Sequence, residues 1–378
     1  MKMVSIFLVM AVLLFTAGCD VNNEAVQTQP EEKIVLAVKR DTTGTIRNLA
    51  DRFSEENSGI SVKLMELSDE SVENHRMFSS VLAGNEVTVD VMIVEDIWMK
   101  EFLSVGYLRP LDDGINVDNS EYPKRFSDIM YSNGRLYGLP FILDVGIMLY
   151  RTDLTDGDLN YNDFLKADSP DYSIQGVDKE EMICVIQECI RLSGGMERGL
   201  ELYKSLIEKS QHTSGNYLSD FKSGKTAYAR SWTSSYIHVQ NNFSNIQGKV
   251  RTSLLRMGDT HYATARAYFA AVNSASDASK SEAINKFLNF LIREDVQLEF
   301  AKGTGTLPLK YKYYQNPLVA DYNEYNEKFK DCLDKFNYRA NAENYTLLSE
   351  AAQSAVSKYI SGETDIKEAA RAVSSTME

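Results

Sequence analysis

The chain has 378 residues, of which 43% are hydrophobic and 25% are charged, so it is long enough and apolar enough to bury substantial cores. Its 54 acidic and 40 basic residues give a formal net charge of -14. This charge argues against nucleic acid as a partner and against a strongly anionic ligand held by bulk charge alone. The length predicts two lobes rather than one.

The N-terminus has the pattern of an export signal. Lys2 is followed by the apolar run Met3–Phe15, which is shorter than the roughly 20 residues of a membrane-spanning helix, and then by small residues before Cys19. This order resembles a bacterial lipobox, in which the cysteine is acylated and becomes the mature N-terminus. We predict a lipoprotein signal peptide over residues 1–18 and a polar, lipidated tether over residues 19–32. An ordinary secretory signal with a chance cysteine is the alternative.

Three further cysteines, Cys184, Cys189 and Cys332, cannot all pair within the chain because their number is odd. Cys184 and Cys189 lie in one helix-like stretch, where a separation of five residues places the side chains on different faces. We therefore expect small buried thiols and no redox function.

After the tether the chain alternates strands and helices. Ile34–Val38 is an apolar run typical of a buried strand, and the apolar residues after it have helical spacing. Val62–Leu67 and Asp90–Val94 predict two more strands, so the chain begins β-α-β-α-β with right-handed crossovers. Such sheets bind ligands beyond the carboxyl ends of their strands. Arg40–Thr43 and Glu95–Trp98 occupy that location.

The second half is mainly helical. Apolar residues recur at helical spacing in Glu180–Leu192, Met196–Ile207, Ala283–Ile292 and Leu347–Ile360. Gly362 is placed to end the last of these helices, and Asp365 with Glu368 three residues later predicts the start of another.

Several segments together carry a family resemblance. Gly134–Pro140 continues through Asp144–Leu154, so that Gly-Leu-Pro, Asp-x-Gly and Tyr-Arg-x-Asp-Leu occur in order. Asp90–Trp98, Arg230–Tyr236 and Gly303–Pro308 add shorter matches. The set resembles extracellular solute-binding protein family 1, the substrate-binding lipoproteins of carbohydrate ABC importers, and within it the maltose- and trehalose-binding proteins.

This resemblance implies an α/β chain with the two-lobe, type II periplasmic-binding-protein fold and a hinge between the lobes. We place lobe 1 at residues 33–141 plus 272–304, and lobe 2 at residues 142–271 plus 305–378. Gly134–Leu154 would contain the strand that crosses from one lobe to the other.

A sugar presents hydroxyls that donate and accept, together with an apolar C–H face, so its site combines carboxylates, a guanidinium and aromatic rings. On this basis and from the resemblance, the predicted ligand contacts are Asp41, Thr43, Glu95, Trp98, Asp144, Trp232, Tyr268 and Arg339. Structural roles are the alternative. Asp41 and Thr43 also suit capping of the next helix, and the two tryptophans also suit core packing.

The chain departs from its relatives at positions that bear on the ligand. The motif commonly has Tyr where this chain has Lys179 and Trp where it has Cys189. Arg266–Tyr268 replaces Gly-Gly-Trp, and Ala340 stands where relatives have a proline after the arginine. We therefore expect a pocket that is remodelled relative to typical disaccharide binders.

Catalytic alternatives find little support in the sequence. The histidines have no metal-ligand spacing, and no Gly-x-Ser-x-Gly nucleophile elbow occurs. Ser223–Thr226 lacks the first glycine and the preceding strand of a phosphate loop. We predict that the chain is not an enzyme and that it has no cofactor, no metal site and no catalytic residues.

The sequence thus predicts an extracytoplasmic binding lipoprotein of the bacterial cell membrane, anchored through palmitate or a similar acyl chain at Cys19. It would capture a sugar, a disaccharide or small oligosaccharide, in an interlobe cleft and deliver it to the permease subunits of an ABC importer. We expect a monomer with no nucleic-acid partner. The alternatives are a binding lipoprotein for a polyamine, an iron complex or a peptide, and a surface glycosidase.

Overall fold

The structure is a computed structural model of the chain. It describes residues 32–84, 89–111, 114–115, 117–168, 171–176, 179–210, 217–241, 244–316, 329–330, 333–336, 339–340 and 342–377. The predicted signal peptide, Cys19, the tether as far as residue 31, and Cys332 lie outside the described residues.

The strands of the described part are β1 Glu32–Lys39, β2 Ile60–Leu67, β3 Val91–Glu95, β4 Leu108–Arg109, β5 Tyr131–Ser132, β6 Arg135–Leu136, β7 Gly138–Arg151, β8 Tyr172–Ile174, β9 Tyr228–Trp232, β10 Val250–Ser253, β11 Leu255–Met257, β12 Thr260–Tyr262 and β13 Ala265–Asn273. The α-helices are α1 Thr45–Glu56, α2 Ser71–Ala83, α3 Asp96–Ser104, α4 Lys124–Met130, α5 Tyr161–Lys166, α6 Lys179–Ser193, α7 Met196–Lys209, α8 Tyr217–Lys222, α9 Tyr236–Gln240, α10 Ser281–Leu291, α11 Glu294–Thr304, α12 Tyr345–Ser361 and α13 Ile366–Ser374. Short 3₁₀ helices cover Asn119–Glu121, Thr233–Ser235, Ala278–Lys280 and Tyr311–Gln315.

One mixed sheet organises the molecule. Its strand order is β2-β1-β3-β13-β7-β9-β8, with β4 paired to β13 and β10 paired to β7. β1 is parallel to β2 and β3, whereas β13 is antiparallel to both β3 and β7. The opening β-α-β-α-β pattern is confirmed, and the carboxyl ends of β1 and β3 lie on the same edge, as parallel strands require.

The long strand β7 joins two parts of this sheet. Residues 138–145 of β7 pair with β13, and residues 146–150 pair with β9. We call the strands on the β13 side, with β7 up to Val145, the first part, and β7 from Gly146 with β8, β9 and β10 the second part. β7 is therefore the predicted crossing strand.

The predicted lobe boundaries stay a prediction, and the strand pairing bears on one of them. Ala265–Val272 pairs with β3 or β7 in the first part of the sheet. It does so because its side chains, all buried, complete the apolar layer between those strands. A boundary before Ala265 fits this pairing better than one at residue 272.

The predicted helices form where apolar spacing and end signals agree. Gly362 ends α12 in the left-handed region with φ 81°, which a glycine adopts without strain. The Asp365 carboxylate accepts hydrogen bonds from the backbone N–H groups of Lys367 and Glu368, both at 2.9 Å, and so caps α13. Both end signals are confirmed.

The helix α6 contains two of the predicted thiols. Cys184 and Cys189 are buried and free, and burial raises the pKa of each thiol above its ordinary value. The prediction of buried thiols is confirmed for this pair. In the ranges that the structure describes, no helix is long and apolar enough to cross a membrane.

Candidate functional site

Two adjoining cavities receive side chains from both parts of the sheet. One, of about 280 Å³, is lined by Trp232, Glu181 and Arg266 among others, and we call it the tryptophan cavity. The other, of about 330 Å³, has Tyr268 and Thr43 in its wall, and we call it the tyrosine cavity. Together they form the cleft. The residues that line both cavities are Lys39, Asp69, Asp144 and Ser234.

Asp144 is mostly buried and lies on β7, in the part that pairs with β13. Two residues later, from Gly146 on, β7 pairs with β9. Oδ1 of Asp144 accepts from the Thr233 hydroxyl at 2.7 Å and from the Ser234 backbone N–H at 3.0 Å. Its Oδ2 accepts from the Ser234 hydroxyl at 2.7 Å. A carboxylate has about four acceptor positions. The 3₁₀ turn after β9 therefore orients Asp144 and leaves acceptor capacity for a ligand.

Lys39 is the last residue of β1, and its side chain is half-buried in the wall of both cavities. Its ammonium group makes no hydrogen bond or ion pair with any part of the chain that the structure describes. Lys39 thus brings three N–H donors to a cavity wall that also contains an acceptor, Asp144. The predicted ligand contacts did not include Lys39, although the carboxyl end of a parallel strand is where such sheets bind ligands.

The ring of Trp232 is covered by two guanidinium groups. The Cζ atom of Arg266 lies 3.5 Å from the ring centroid, and that of Arg230 lies 4.3 Å from it. Trp232 is only 2% exposed. Its Nε1–H donates to Oε2 of Glu181 at 3.1 Å. Trp232 lines the cavity as predicted, but arginine side chains occupy the ring that was expected to meet a sugar.

Glu181 links the tryptophan to Arg266. Its Oε1 accepts from Nη1 of Arg266 at 2.8 Å, while its other oxygen accepts from Trp232. Burial alone would raise the pKa of Glu181, but the charges of Arg266, Arg230 and Lys39 outweigh burial and lower that pKa. The carboxylate therefore stays ionised. We call Arg266, Trp232, Glu181 and Arg230 the Arg266 cluster.

Arg230 is held from behind by Glu188. Its Nε and Nη2 donate to the two carboxylate oxygens at 3.0 and 2.5 Å, and both residues are fully buried. Gly146 of β7 faces this pair. A Cβ at that position would lie 2.6 Å from Nη2 of Arg230 and closer still to Glu188, so a larger residue would displace the pair. This explains why glycine follows Asp144 in the Asp-x-Gly motif.

Asp41 and Thr43 cap helix α1. Asp41 Oδ1 accepts from the Thr43 N–H at 2.8 Å and from its hydroxyl at 2.5 Å, and Oδ2 accepts from the Ile46 N–H at 2.8 Å. The capping alternative is therefore confirmed. Both residues also line the tyrosine cavity, so their contact with a ligand stays a prediction.

Tyr268 gives the tyrosine cavity its aromatic wall, together with the apolar side chains of Ile93, Ile142 and Phe300. Its ring is mostly buried, and burial raises the pKa of its hydroxyl well above the ordinary value. The hydroxyl therefore stays protonated, and the ring is the more open aromatic surface of the two cavities.

Three predicted contacts, Glu95, Trp98 and Arg339, lie outside both cavities. Arg339 has no exposed surface, and its Nη2 donates to Glu95 at 2.9 Å and to Asp96 at 3.2 Å. Its Nη1 donates to Glu180 at 3.1 Å. The predicted role of Glu95 and Arg339 as ligand contacts does not fit these positions, because each already pairs with the other in the interior. We call Arg339, Glu95, Asp96 and Glu180 the Arg339 cluster.

Trp98 packs in the core of the first part. Its ring centroid lies 5.6 Å from that of His75, 6.2 Å from that of Phe78 and 6.4 Å from that of Phe102. The tryptophan is 3% exposed. These contacts match the core-packing alternative for Trp98, and they correct the prediction that Trp98 contacts the ligand.

Asp96 is a buried carboxylic acid of the Arg339 cluster, and its pKa is raised. Burial raises its pKa, the charge of Arg339 opposes that rise, and the result is a pKa of about 6. Among the described residues, one carboxylate oxygen of Asp96 and the Nε of Arg339 are buried and have no hydrogen-bond partner. The Arg339 cluster is thus a buried ionic network whose hydrogen bonds are incomplete within that part of the chain. Among the residues that the structure describes, no group of three His, Cys, Asp or Glu side chains is arranged to hold a metal ion.

Comparison with known proteins gives a family match over most of the chain. Residues 48–327 match the model of bacterial extracellular solute-binding proteins.

Solved structures share the fold at low sequence identity. Maltose-bound MalE3 of Thermotoga maritima superposes with a TM-score of 0.82 at 21% identity, covering 91% of this chain and 98% of that chain. The GacH receptor of Streptomyces glaucescens, whose structures include complexes with acarbose, gives 0.78 at 20% identity, covering 92% and 97%. An Agrobacterium radiobacter ABC transporter solute-binding protein in complex with ribitol gives 0.76 at 17% identity, covering 92% and 99%. The predicted two-lobe periplasmic-binding-protein fold is confirmed.

Proposed function

The chain belongs to the family of bacterial extracellular solute-binding proteins, and from this premise we propose that it captures a carbohydrate in the cleft and delivers it to the permease of an ABC importer. The family places it outside the cytoplasm. The structural relatives were solved with maltose, with acarbose and with ribitol, which supports a ligand rich in hydroxyl groups.

The presence of both Lys39 and Asp144 in the walls of the two cavities is the observation that carries this proposal. One offers N–H donors and the other offers carboxylate acceptors, and both line the two cavities where these meet. A sugar hydroxyl donates and accepts at once, so it satisfies both groups. The ring of Tyr268 adds a surface for the apolar C–H face of a sugar.

Ligand binding would favour a closed arrangement of the two parts of the sheet. Lys39 and Asp69 reach the cleft from the first part, whereas Ser234 and Glu181 reach it from the second. A ligand that touches both sides stabilises the closed state by its differential contacts with that state. The importer would then recognise the closed form. A disaccharide or small oligosaccharide was predicted from the family resemblance, and the number of sugar rings depends on what covers Trp232.

A lipid anchor at Cys19 completes the proposed arrangement, an extracytoplasmic, monomeric lipoprotein attached to the bacterial cell membrane. We expect labelled palmitate to be incorporated into the exported wild-type protein and not into Cys19→Ala. Equal labelling of both proteins would refute the anchor.

A thermal-shift screen of monosaccharides, polyols and disaccharides tests the proposed function. A ligand that binds only the folded protein raises the free energy of unfolding by about 2.7 kcal/mol at a hundredfold excess over its Kd. At least one carbohydrate should raise the Tm of the wild type, and the matched variant Asp144→Asn should lose most of that increase. The proposal would be overturned if no carbohydrate raised the Tm while spermidine, a ferric chelate or a peptide did.

A further inference from the structure

We propose that Arg266 sets the size of the ligand: its guanidinium takes the place of a sugar ring on Trp232, so the cleft accepts a single-ring sugar or an acyclic polyol and discriminates against disaccharides. This inference rests on the proposed function and narrows it. It concerns one chemical class, small neutral polyhydroxylated solutes.

The Trp232 ring is covered by side chains of the protein. With Arg266 at 3.5 Å from the ring centroid and Arg230 at 4.3 Å, and with 2% of the residue exposed, almost none of the ring is left for a ligand to contact. An aromatic ring attracts a cation over its face, and this attraction grows when the pair is shielded from water. The tryptophan is therefore occupied by the protein itself.

Arg266 is held over the ring by a carboxylate. Its Nη1 donates to Glu181, and the same carboxylate accepts from Trp232, so one anion fixes both the guanidinium and the ring. Moving Arg266 aside to admit a second sugar ring would separate its guanidinium, which is only 5% exposed, from Glu181, and this is unfavourable because a buried charge requires a close counter-charge.

The space that remains for a ligand lies in the two cavities. The tryptophan cavity measures about 280 Å³ and the tyrosine cavity about 330 Å³, and Arg266 lines the first but not the second. They meet at Lys39, Asp69, Asp144 and Ser234, all polar. Tyr268 adds an aromatic wall on the tyrosine side of this junction. One sugar ring or one polyol chain placed at this junction meets donors, acceptors and a ring at once.

Calorimetric titration tests the inference with glucose, galactose and mannitol on one side and with maltose, lactose and trehalose on the other. The proteins are the wild type, Arg266→Ala and the double variant Arg266→Ala/Glu181→Gln. The double variant removes the carboxylate that would otherwise be left unpaired, so it folds even where the single variant does not. Arg47→Ala, an exposed position on α1, is the matched control.

The wild type should bind at least one of the small solutes more tightly than any of the disaccharides. Uncovering Trp232 in the double variant should raise the ratio of disaccharide to monosaccharide affinity by about tenfold, the gain expected from one aromatic stacking contact. A wild type that prefers a disaccharide, or a ratio that stays unchanged in the double variant, would overturn the role of Arg266 while leaving carbohydrate binding intact. If none of the folded proteins binds any of these solutes, the proposed function fails and the inference fails with it.

Discussion

The Arg266 cluster and the Arg339 cluster are both built from arginines and carboxylates, but the first is at the cleft and the second is in the interior. Each brings a guanidinium from one part of the chain to carboxylates of another, and each includes a residue of the first turns of α6, Glu181 in one and Glu180 in the other. Arg266, Trp232 and Glu181 line the tryptophan cavity, whereas Arg339 lies outside both cavities and only Glu180 of its cluster reaches the cavity wall. Adjacent residues on one helix thus point to a ligand site and to a structural network. The position of the arginine, in the cavity wall for Arg266 and in the interior for Arg339, rather than residue type, distinguishes the two clusters.

The Arg339 cluster should dominate stability. Arg339→Ala leaves three buried carboxylates without their common cation, so we expect a loss of about 3–5 kcal/mol in the free energy of unfolding. Urea denaturation measures this loss. The exposed Arg47→Ala should cost no more than about 1 kcal/mol. If Arg339→Ala lowers the free energy of unfolding by less than Arg266→Ala does, the distinction between the clusters is wrong.

Asp96 should make stability depend on pH. Its pKa of about 6 in the folded protein is above the ordinary value of 3.8, so the folded state holds this proton more firmly. The contribution of Asp96 to the free energy of unfolding is full below about pH 4 and is lost as pH rises through about 6. Asp96→Asn cannot titrate, so from pH 4 to pH 7 it should gain up to about 3 kcal/mol relative to the wild type.

Arg339, Glu95 and Arg125 supply the charges that act on Asp96, and these residues are unchanged in that variant. Denaturant unfolding at pH 4, 5, 6 and 7 gives the comparison, with the exposed Asp51→Asn as the control. A constant difference between Asp96→Asn and the wild type across this range would contradict the assigned pKa.

Lys39 should affect binding without affecting folding. Lys39→Met keeps the length of the side chain and removes its donors, so the affinity for the carbohydrate found in the screen should fall by about tenfold or more. The free energy of unfolding should change by less than about 1 kcal/mol. Calorimetric titration and urea denaturation measure the two quantities, and the exposed Lys63→Met should change neither. Unchanged affinity in Lys39→Met would remove Lys39 from the site.

The pair of Lys179 and Glu70 should have the smallest effect. Their charged atoms are 2.6 Å apart in the wall of the tryptophan cavity, and each side chain is about half exposed, 47% and 50%. Solvent screens such a pair, so Glu70→Gln should change stability by no more than about 1 kcal/mol. Any effect on ligand affinity should vanish at high ionic strength. A large effect that persists in high salt would show that this pair belongs with the buried networks.

The sequence predicted the elements well because local patterns determine them. Helix α1 follows from its apolar spacing, α13 from its capping aspartate, and β7 from the Asp-x-Gly motif. Asp144, Trp232 and Tyr268 were predicted as ligand contacts from the family resemblance, and all three line the cleft.

The errors at the site come from contacts between distant segments. Arg339 meets Glu95 and Glu180 only in three dimensions, so no local pattern indicates that its charge is already neutralised. Trp98 and Trp232 both lie near strand ends, and only packing shows that the first is in the core. Arg266 was recognised as a departure from the family, but its position over Trp232 depends on the register between β13 and β7.

The chain contains two tryptophans, and this makes the central claim directly measurable. In Trp98→Phe the fluorescence reports on Trp232 in the cleft, and in Trp232→Phe it reports on Trp98 in the core. Titration with the carbohydrate that raises the Tm should change the emission of Trp232 with saturation and leave that of Trp98 nearly constant. A saturable response from Trp98 with none from Trp232 would show that the ligand binds elsewhere than in the cleft.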